Sequence, residues 1–267
     1  MTNSNIQKLP FLETVKRSFL YTICNSKLFL KISSVALILI VVEALTGFSM
    51  LCTLSDGDCP QNPINMISSF LLMILSVGAI VNYCRAIILK SDIDFYSWKF
   101  VGRVAKYILL SIVFGLMVMV PLILYAFIYG VGLQVYGWEE SAVSNLSVGI
   151  LTLLWVIWLS PLFLVYAAIT VDDKTINIKE AFRLAKGNYN KIFWGQALLM
   201  LPCAIAIFIL GWLYQTVGAE SYIAKFAFLF ILIALSFLDS CFKASFIAHI
   251  YQYFVYFRNK KQNKKTI

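Results

Sequence analysis

The composition of this 267-residue chain excludes an ordinary soluble domain. Hydrophobic residues make up 61% of it and charged residues only 13%, whereas soluble domains carry about 25% charged residues. The formal net charge of +9 requires no nucleic-acid partner, because lysine and arginine gather beside apolar segments as they do in membrane proteins. We therefore expect an all-α membrane protein with a single integral membrane domain over residues 1–267.

Six apolar blocks set the predicted architecture. Each has about the 20 residues or more that a helix needs to cross the hydrocarbon core, and none alternates like a β-barrel strand. The predicted membrane helices cover residues 28–52, 64–84, 105–133, 146–171, 192–217 and 223–257. Pro121, Pro161 and Pro202 lie inside the third, fourth and fifth blocks, and each is expected to kink its helix.

Short amphipathic helices are predicted on one side of these blocks, over residues 9–25, 92–104 and 177–186. The first of them has an apolar face made by Phe11, Leu12, Val15, Phe19 and Ile23. Such helices are suited to lying in the membrane surface. Lys27, Lys106 and Lys191 then precede membrane blocks at spacings of 79 and 85 residues, which suggests a threefold repeat of a surface helix plus a membrane hairpin.

The third short helix has clear boundary signals. Asn177 is placed to cap its N-terminus with Glu180 at the capping-box position, and Gly187 is placed to end it. Phe182 belongs to its apolar face, and its basic residues are Lys179, Arg183 and Lys186. We predict that this helix lies flat on the cytoplasmic leaflet, where anionic headgroups attract basic side chains. A solvated connector is the alternative.

The distribution of lysine and arginine predicts the orientation. Three connections carry neither residue, namely 53–63, 134–145 and 218–222. Of the 22 basic residues, only Lys225 lies near that side of the blocks. Basic residues favour the cytoplasmic side, so both termini are predicted to be cytoplasmic.

Residues 160–193 resemble a pattern in bacterial membrane proteins. The matching features are Pro161, Asp172, Ala181 with Phe182, Gly187 with Asn188, and Phe193. The pattern is similar to the membrane domain of some glycerophosphodiester phosphodiesterases and to related uncharacterised six-helix proteins. The resemblance implies an integral role in a bacterial inner membrane. It does not imply phosphodiesterase activity, because no counterpart of the soluble catalytic domain is expected in these residues.

A eukaryotic endoplasmic reticulum membrane is the alternative location. The final residues, Lys264 to Ile267, match a di-lysine retrieval signal, and Asn145 begins a formal glycosylation sequon. The tail is rich in lysine throughout, and Asn145 lies almost at the membrane. The bacterial location is therefore favoured.

Ionisable groups inside membrane blocks are the best pointers to function, because each costs about 2.5–3.5 kcal/mol at a helix centre. Glu43 lies near the middle of the first block, and Asp239 can pair with Lys243 one helical turn later. Two interpretations of Glu43 stay open. It lines a polar site with Asn82 or Gln196, or it is protonated and merely tolerated.

Other chemistry is sparse. Cys52 and Cys59 lie on the outer side, where they could form a disulfide in an oxidising periplasm, although two free thiols are slightly favoured. His249 is the single histidine, so no metal site is predicted. No catalytic motif occurs, and we expect neither enzymatic activity nor a cofactor.

Two classes of function fit these features. The first is a membrane-embedded scaffold that binds lipids or a membrane-protein partner, with anionic lipids at its cytoplasmic face. The second is a small transporter or channel for a solute or a lipid. A polar path through the bundle would distinguish the second class from the first.

Overall fold

The protein is described here by a computed structural model that covers residues 8–25, 27–28, 31–32, 34, 63–90, 98–136, 142–217 and 222–263. These residues form helices joined by turns and contain no strand, which confirms the all-α prediction. In chain order the helices are α1 (Phe11–Cys24), α2 (Pro63–Leu89), α3 (Trp98–Tyr136), α4 (Ala142–Leu159), α5 (Leu162–Thr170), α6 (Ile178–Ala185), α7 (Tyr189–Val217) and α8 (Tyr222–Asn263).

The described part of the chain contains fewer membrane-crossing helices than the six predicted. Three helical stretches are long and apolar enough to cross a membrane. They lie within α3 (Lys99–Ile128), α7 (Tyr189–Tyr214) and α8 (Phe230–Val255). Helices α4 and α5 add a fourth if they count as one bent span, and α2 contributes a shorter apolar stretch over Ile74–Leu89. The first predicted block, 28–52, lies almost entirely outside the described residues.

The predicted fourth helix, 146–171, is two helices rather than one. Helix α4 ends at Leu159, α5 begins at Leu162, and their axes meet at 42°. Pro161 causes the break because it has no N–H to continue the helical hydrogen bonds. The Ser160 amide instead closes a tighter turn on the Ile157 carbonyl, at 3.2 Å. A kink at Pro161 was expected, and the structure confirms it.

Pro121 has a different outcome, because α3 continues through it. A proline at this position leaves the Met117 carbonyl, four residues earlier, without its helical donor. The indole Nε1 of Trp155 on α4 donates to that carbonyl at 2.8 Å. A side chain of the neighbouring helix thus replaces the missing backbone bond. Helix α7 likewise continues through Pro202.

The predicted amphipathic helices are partly correct. Helix α1 matches residues 9–25, and α6 matches residues 177–186. The predicted surface helix 92–104 is wrong for its described part, because residues 98–104 are the first turns of α3. No proline or capping residue interrupts this stretch, and Gly102 costs only about 1 kcal/mol in a helix. The second unit of the suggested repeat therefore has no separate helix over these residues.

The core lies around the C-terminal half of α8, which contacts α1, α2, α5 and α7. Phe246 is fully buried there. It packs against Gly195 of α7, where even a Cβ atom would overlap the phenyl ring. The absence of a side chain at residue 195 therefore allows α7 and α8 to approach closely.

Helix α3 presents apolar side chains outward. None of its most apolar stretch is buried, and residues such as Leu116, Ile123 and Phe127 are more than half exposed. A contiguous apolar surface of this kind indicates contact with lipid or with another protein. The polar contacts of the described residues gather instead at the end of the bundle where α1 and α6 lie, which we call the α1 end.

Candidate functional site

Helix α1 joins the bundle through a stripe of hydroxyl groups. Thr14, Ser18 and Thr22 are buried at four-residue intervals, and each hydroxyl donates to the carbonyl four residues earlier. The small side chains let α1 lie close to α8 while their polar atoms remain satisfied. The apolar face predicted for α1 is only partly covered, because Leu12 is 72% exposed and Ile23 is 50% exposed.

His249 of α8 lies against this hydroxyl stripe. Its Nδ1 is 2.7 Å from the Ser245 carbonyl oxygen and 3.3 Å from Ser18 Oγ. Ser245 Oγ donates in turn to the Ser18 carbonyl at 3.1 Å. The Tyr21 ring meets the imidazole edge-on at 5.7 Å, and burial raises the pKa of its phenol. His249 therefore belongs to the contact between α1 and α8.

A polar cleft of about 430 Å³ opens beside this contact. Its walls include Glu13, Thr14 and Arg17 of α1, and His249, Gln252 and Tyr253 of α8. The volume is within the range of about 300–1,000 Å³ found for small-molecule sites. The cleft is the main candidate binding site among the described residues.

The segment before α1 is fixed to the start of α7. The Leu9 amide donates to Asn188 Oδ1 at 2.8 Å, and Lys191 Nζ donates to the Leu9 carbonyl at 2.9 Å. Tyr253 of α8 donates to the Lys8 carbonyl at 2.9 Å. Gly187 adopts a φ of 79°, which glycine tolerates, and so ends α6 as predicted. These contacts hold α1 along one wall of the cleft.

Replacing Asn188 with alanine is expected to loosen the segment before α1. The variant leaves the buried Leu9 amide without its acceptor, at a cost of about 1–3 kcal/mol. Hydrogen–deuterium exchange should report faster exchange at residues 9–14. Asn190→Ala is the matched control, because Asn190 is exposed. Equal exchange in the two variants would contradict the role given to Asn188.

Asp172 joins three helices at the same end of the bundle. Its Oδ2 lies 3.5 Å from Arg103 Nε of α3 and 3.8 Å from Arg85 Nη1 of α2. Arg85 also donates to the Thr170 carbonyl at 3.0 Å, where the exposed carbonyls of a helix end favour a cation. Arg103 is 2% exposed, and its Nη1 is buried without a hydrogen-bond partner. Asp172 therefore supplies countercharge to a buried guanidinium.

Helix α6 has the predicted cap. Asn177 Oδ1 accepts from the Glu180 amide at 2.9 Å, and Glu180 pairs with the exposed Arg183. The Phe182 ring lies 5.0 Å from Trp158 of α4 and 6.1 Å from Tyr189 of α7. The apolar face of α6 thus packs on the ends of neighbouring helices. Its contact with a membrane surface stays a prediction.

Among the described residues, the predicted intramembrane polar residues include one ion pair and several unpaired polar atoms. Asp239 pairs with Lys243 at 2.5 Å, as expected. Both amide atoms of Asn82 and the Oε1 of Gln196 are buried without a hydrogen-bond partner. No hydrogen bond joins either side chain to the Asp239–Lys243 pair. Glu43 lies outside the described residues.

The potential metal ligands and the thiols of the described residues are dispersed. Among the described residues, no group of three or more His, Cys, Asp or Glu side chains converges on one point. Cys24, Cys84, Cys203 and Cys241 are free thiols. The predicted alternatives for Cys52 and Cys59 concern residues outside the described ranges.

The sequence pattern did not identify the polar cleft beside α1. It also did not identify the contacts of Asp172 with Arg85 and Arg103. In the sequence, Arg85 and Arg103 count only among the 22 basic residues whose distribution predicts the orientation. The repeat of Thr14, Ser18 and Thr22 at intervals of four was a usable signal, because residues so spaced share one helix face. From the sequence, the buried face of this helix was instead assigned to its apolar residues.

Comparison with known proteins adds no relative. No family model, no curated protein and no solved structure matches the chain. The resemblance of residues 160–193 to phosphodiesterase membrane domains therefore stays a proposal.

Proposed function

We propose that the chain is a multi-pass membrane protein that binds lipid headgroups or a partner protein at the α1 end, and so acts as a membrane-embedded scaffold. The segregation of polar and apolar groups supports this function. Polar side chains meet at the α1 end in a cleft and in hydrogen bonds that join α8 to α1 and to the segment before it. In contrast, α3 exposes apolar side chains such as Leu116, Ile123 and Phe127. A protein that works at one membrane face is expected to have this arrangement.

The proposed topology has six membrane helices and both termini in the cytoplasm. The α1 end is then the cytoplasmic end, and α1 and α6 lie at the headgroups there. The exposed Leu12 and Ile23 of α1 support this placement, because they can enter the acyl boundary. Arg183 and Lys186 of α6 would face anionic lipids. Membership of the phosphodiesterase-like group and a bacterial inner membrane complete this proposal.

Single cysteines provide a test of the topology. We expect that Asp56→Cys and Glu140→Cys react with an impermeant maleimide in intact cells, because no lysine or arginine lies in their loops. Gln262→Cys should react only after the cells are permeabilised. All six native cysteines are replaced beforehand. Labelling of residue 262 in intact cells, or protection of residues 56 and 140, would overturn the topology.

A transporter is the second candidate, and one observation favours it. Both amide atoms of Asn82, Gln196 Oε1 and Asp239 Oδ1 are buried without a hydrogen-bond partner, and unpaired polar groups are expected along a conduction path. Each such group costs about 1–3 kcal/mol if it stays dry. The scaffold is preferred because the polar cleft lies beside α1 and none of these three residues lines it.

Replacing the unsatisfied amides separates the two functions. In a scaffold, Asn82→Leu and Gln196→Leu should each raise the melting temperature in detergent and leave flotation with vesicles unchanged. The reason is that each substitution removes an unpaired buried polar group, which destabilises the fold by about 1–3 kcal/mol. Proteoliposomes of the unaltered chain should show no proton flux above empty vesicles. Flux that either substitution abolishes would establish the transporter instead.

A further inference from the structure

The cleft beside α1 offers an asymmetric set of polar groups. Glu13 and Arg17 are one turn apart on α1 and are both exposed. Their side chains line the same cleft as His249 and Gln252 of α8. A ligand in this cleft therefore meets one carboxylate, one guanidinium, one imidazole and one amide.

The hydrogen bonds of His249 determine which ring atom a ligand would meet. A carbonyl oxygen can only accept, so the 2.7 Å contact with the Ser245 carbonyl requires that Nδ1 carries the proton. The two nearby hydroxyl groups donate elsewhere, Ser18 Oγ to the Thr14 carbonyl and Ser245 Oγ to the Ser18 carbonyl. In the neutral ring, Nε2 is then left as a hydrogen-bond acceptor.

Gln252 is oriented in a similar way. Its Nε2 donates to the carbonyls of Ile87 and Ile88 at the end of α2, at 3.0 Å and 3.4 Å. This orientation leaves Oε1 as the free acceptor of the amide group. With the Glu13 carboxylate, the cleft has three acceptors for a group with several N–H bonds. Arg17 supplies donors for an anion on the same ligand.

We infer that this cleft binds an aminophospholipid headgroup, with the primary ammonium on Glu13, His249 and Gln252 and the phosphate on Arg17. An ammonium with three N–H donors matches three acceptors, and a phosphate oxygen pair matches the guanidinium fork. The cleft volume of about 430 Å³ accommodates a headgroup but leaves no deep apolar chamber for acyl chains. These chains would extend along the exposed apolar side of the helices. The inference rests on the proposed membrane function.

The position of the cleft favours a lipid over a soluble zwitterion. His249 and Gln252 lie in the last two turns of the apolar stretch of α8, Phe230–Val255. The cleft is therefore placed at one end of a membrane-crossing segment, at the depth of the headgroups. Neighbouring Leu12 of α1 is 72% exposed and can contact the adjacent acyl region.

The test compares lipids that differ in their N–H donors. The full chain in detergent is titrated with phosphatidylethanolamine, phosphatidylcholine or phosphatidylglycerol, and bound lipid is counted by native mass spectrometry. Phosphatidylcholine keeps the phosphate and the positive charge but has no N–H bond. We expect phosphatidylethanolamine to bind about tenfold more tightly than either of the others. This factor corresponds to the charge-assisted hydrogen bond that the other two lipids cannot form. Equal binding of the three lipids by the unaltered chain would overturn the inference.

Two substitutions locate the effect in the cleft. Glu13→Gln should reduce the preference for phosphatidylethanolamine, whereas Arg17→Gln should weaken the binding of all three lipids by a similar factor. Glu180→Gln and Lys16→Gln are the controls, because they remove the same charges from helix positions that do not line the cleft. An unchanged preference in Glu13→Gln, or equal losses in Lys16→Gln and Arg17→Gln, would contradict the assignment.

Two further readouts separate the possible failures. Free phosphoethanolamine should compete only weakly, and competition as strong as that of the lipid would show a soluble ligand instead. Flotation of the chain with vesicles tests membrane association independently of the headgroup. Loss of flotation would refute the proposed membrane function, whereas flotation without headgroup preference would refute only the aminophospholipid site.

Discussion

Gly195→Ala is expected to lower the free energy of unfolding by about 1–3 kcal/mol, the cost of adding a methyl group to a packed core. The new Cβ would overlap the ring of Phe246. That ring is fully buried, so it can move aside only by displacing its neighbours in the core. Unfolding in mixed micelles with increasing denaturing detergent would measure the loss.

A second glycine of the same helix is the matched control. At Gly211 of α7 an added Cβ would meet nothing within 4 Å, so Gly211→Ala should be neutral or stabilising, because alanine favours a helix by about 1 kcal/mol. Phe246→Leu should recover part of the loss when combined with Gly195→Ala, since the two sites are in contact. Equal effects of the two glycine substitutions would show that α7 and α8 do not meet as described.

Asp172→Asn is expected to cost about 2 kcal/mol, less than the roughly 3–5 kcal/mol of breaking a fully buried pair. The substitution leaves Arg103, which is 2% exposed, without its countercharge, whereas the Asp172 side chain is 45% exposed and partly solvated. Asparagine also tolerates the left-handed backbone of residue 172, whose φ is 58°. The measured effect should therefore come from the lost charge.

The partner substitution distinguishes an ion pair from a hydrogen bond. Arg103→Met in the Asp172→Asn background should recover stability, because it removes the unpaired buried charge and keeps an apolar side chain of similar length. Glu180→Gln, which disrupts the surface pair with Arg183, should change stability by less than about 1 kcal/mol. If Asp172→Asn lowers the free energy of unfolding by as little as this control, then Asp172 does not stabilise the buried charge of Arg103.

Features encoded by neighbouring residues were predictable from the sequence. The cap of α6 by Asn177 and its end at Gly187 need only a few adjacent residues, and both occur as predicted. The Asp239–Lys243 pair follows from helical spacing in the same way. Pro161 was expected to kink a helix, but the amount of bending depends on packing around the freed carbonyls. The division into α4 and α5 was therefore not foreseen.

Features that join distant residues were not predictable. Asn188 and Leu9 are 179 residues apart, and Arg85 meets the Thr170 carbonyl across 85 residues. Composition and periodicity describe each helix alone, so they identify neither which arginine meets Asp172 nor which helix covers His249. The same limit applies at Pro121, where the replacement donor is Trp155 of another helix.

The position of α8 in the chain has a consequence for how the protein is made. This helix is synthesised after α1, α2, α5 and α7, yet all four pack against it. Contacts such as Tyr253 with Lys8, 245 residues apart, can form only when α8 has left the ribosome. Until then the Ser18 carbonyl lacks its Ser245 donor, and the close-contact face at Gly195 lacks Phe246. The earlier helices therefore complete their core only when α8 is inserted, and a ribosome that stalls before α8 leaves the core incomplete.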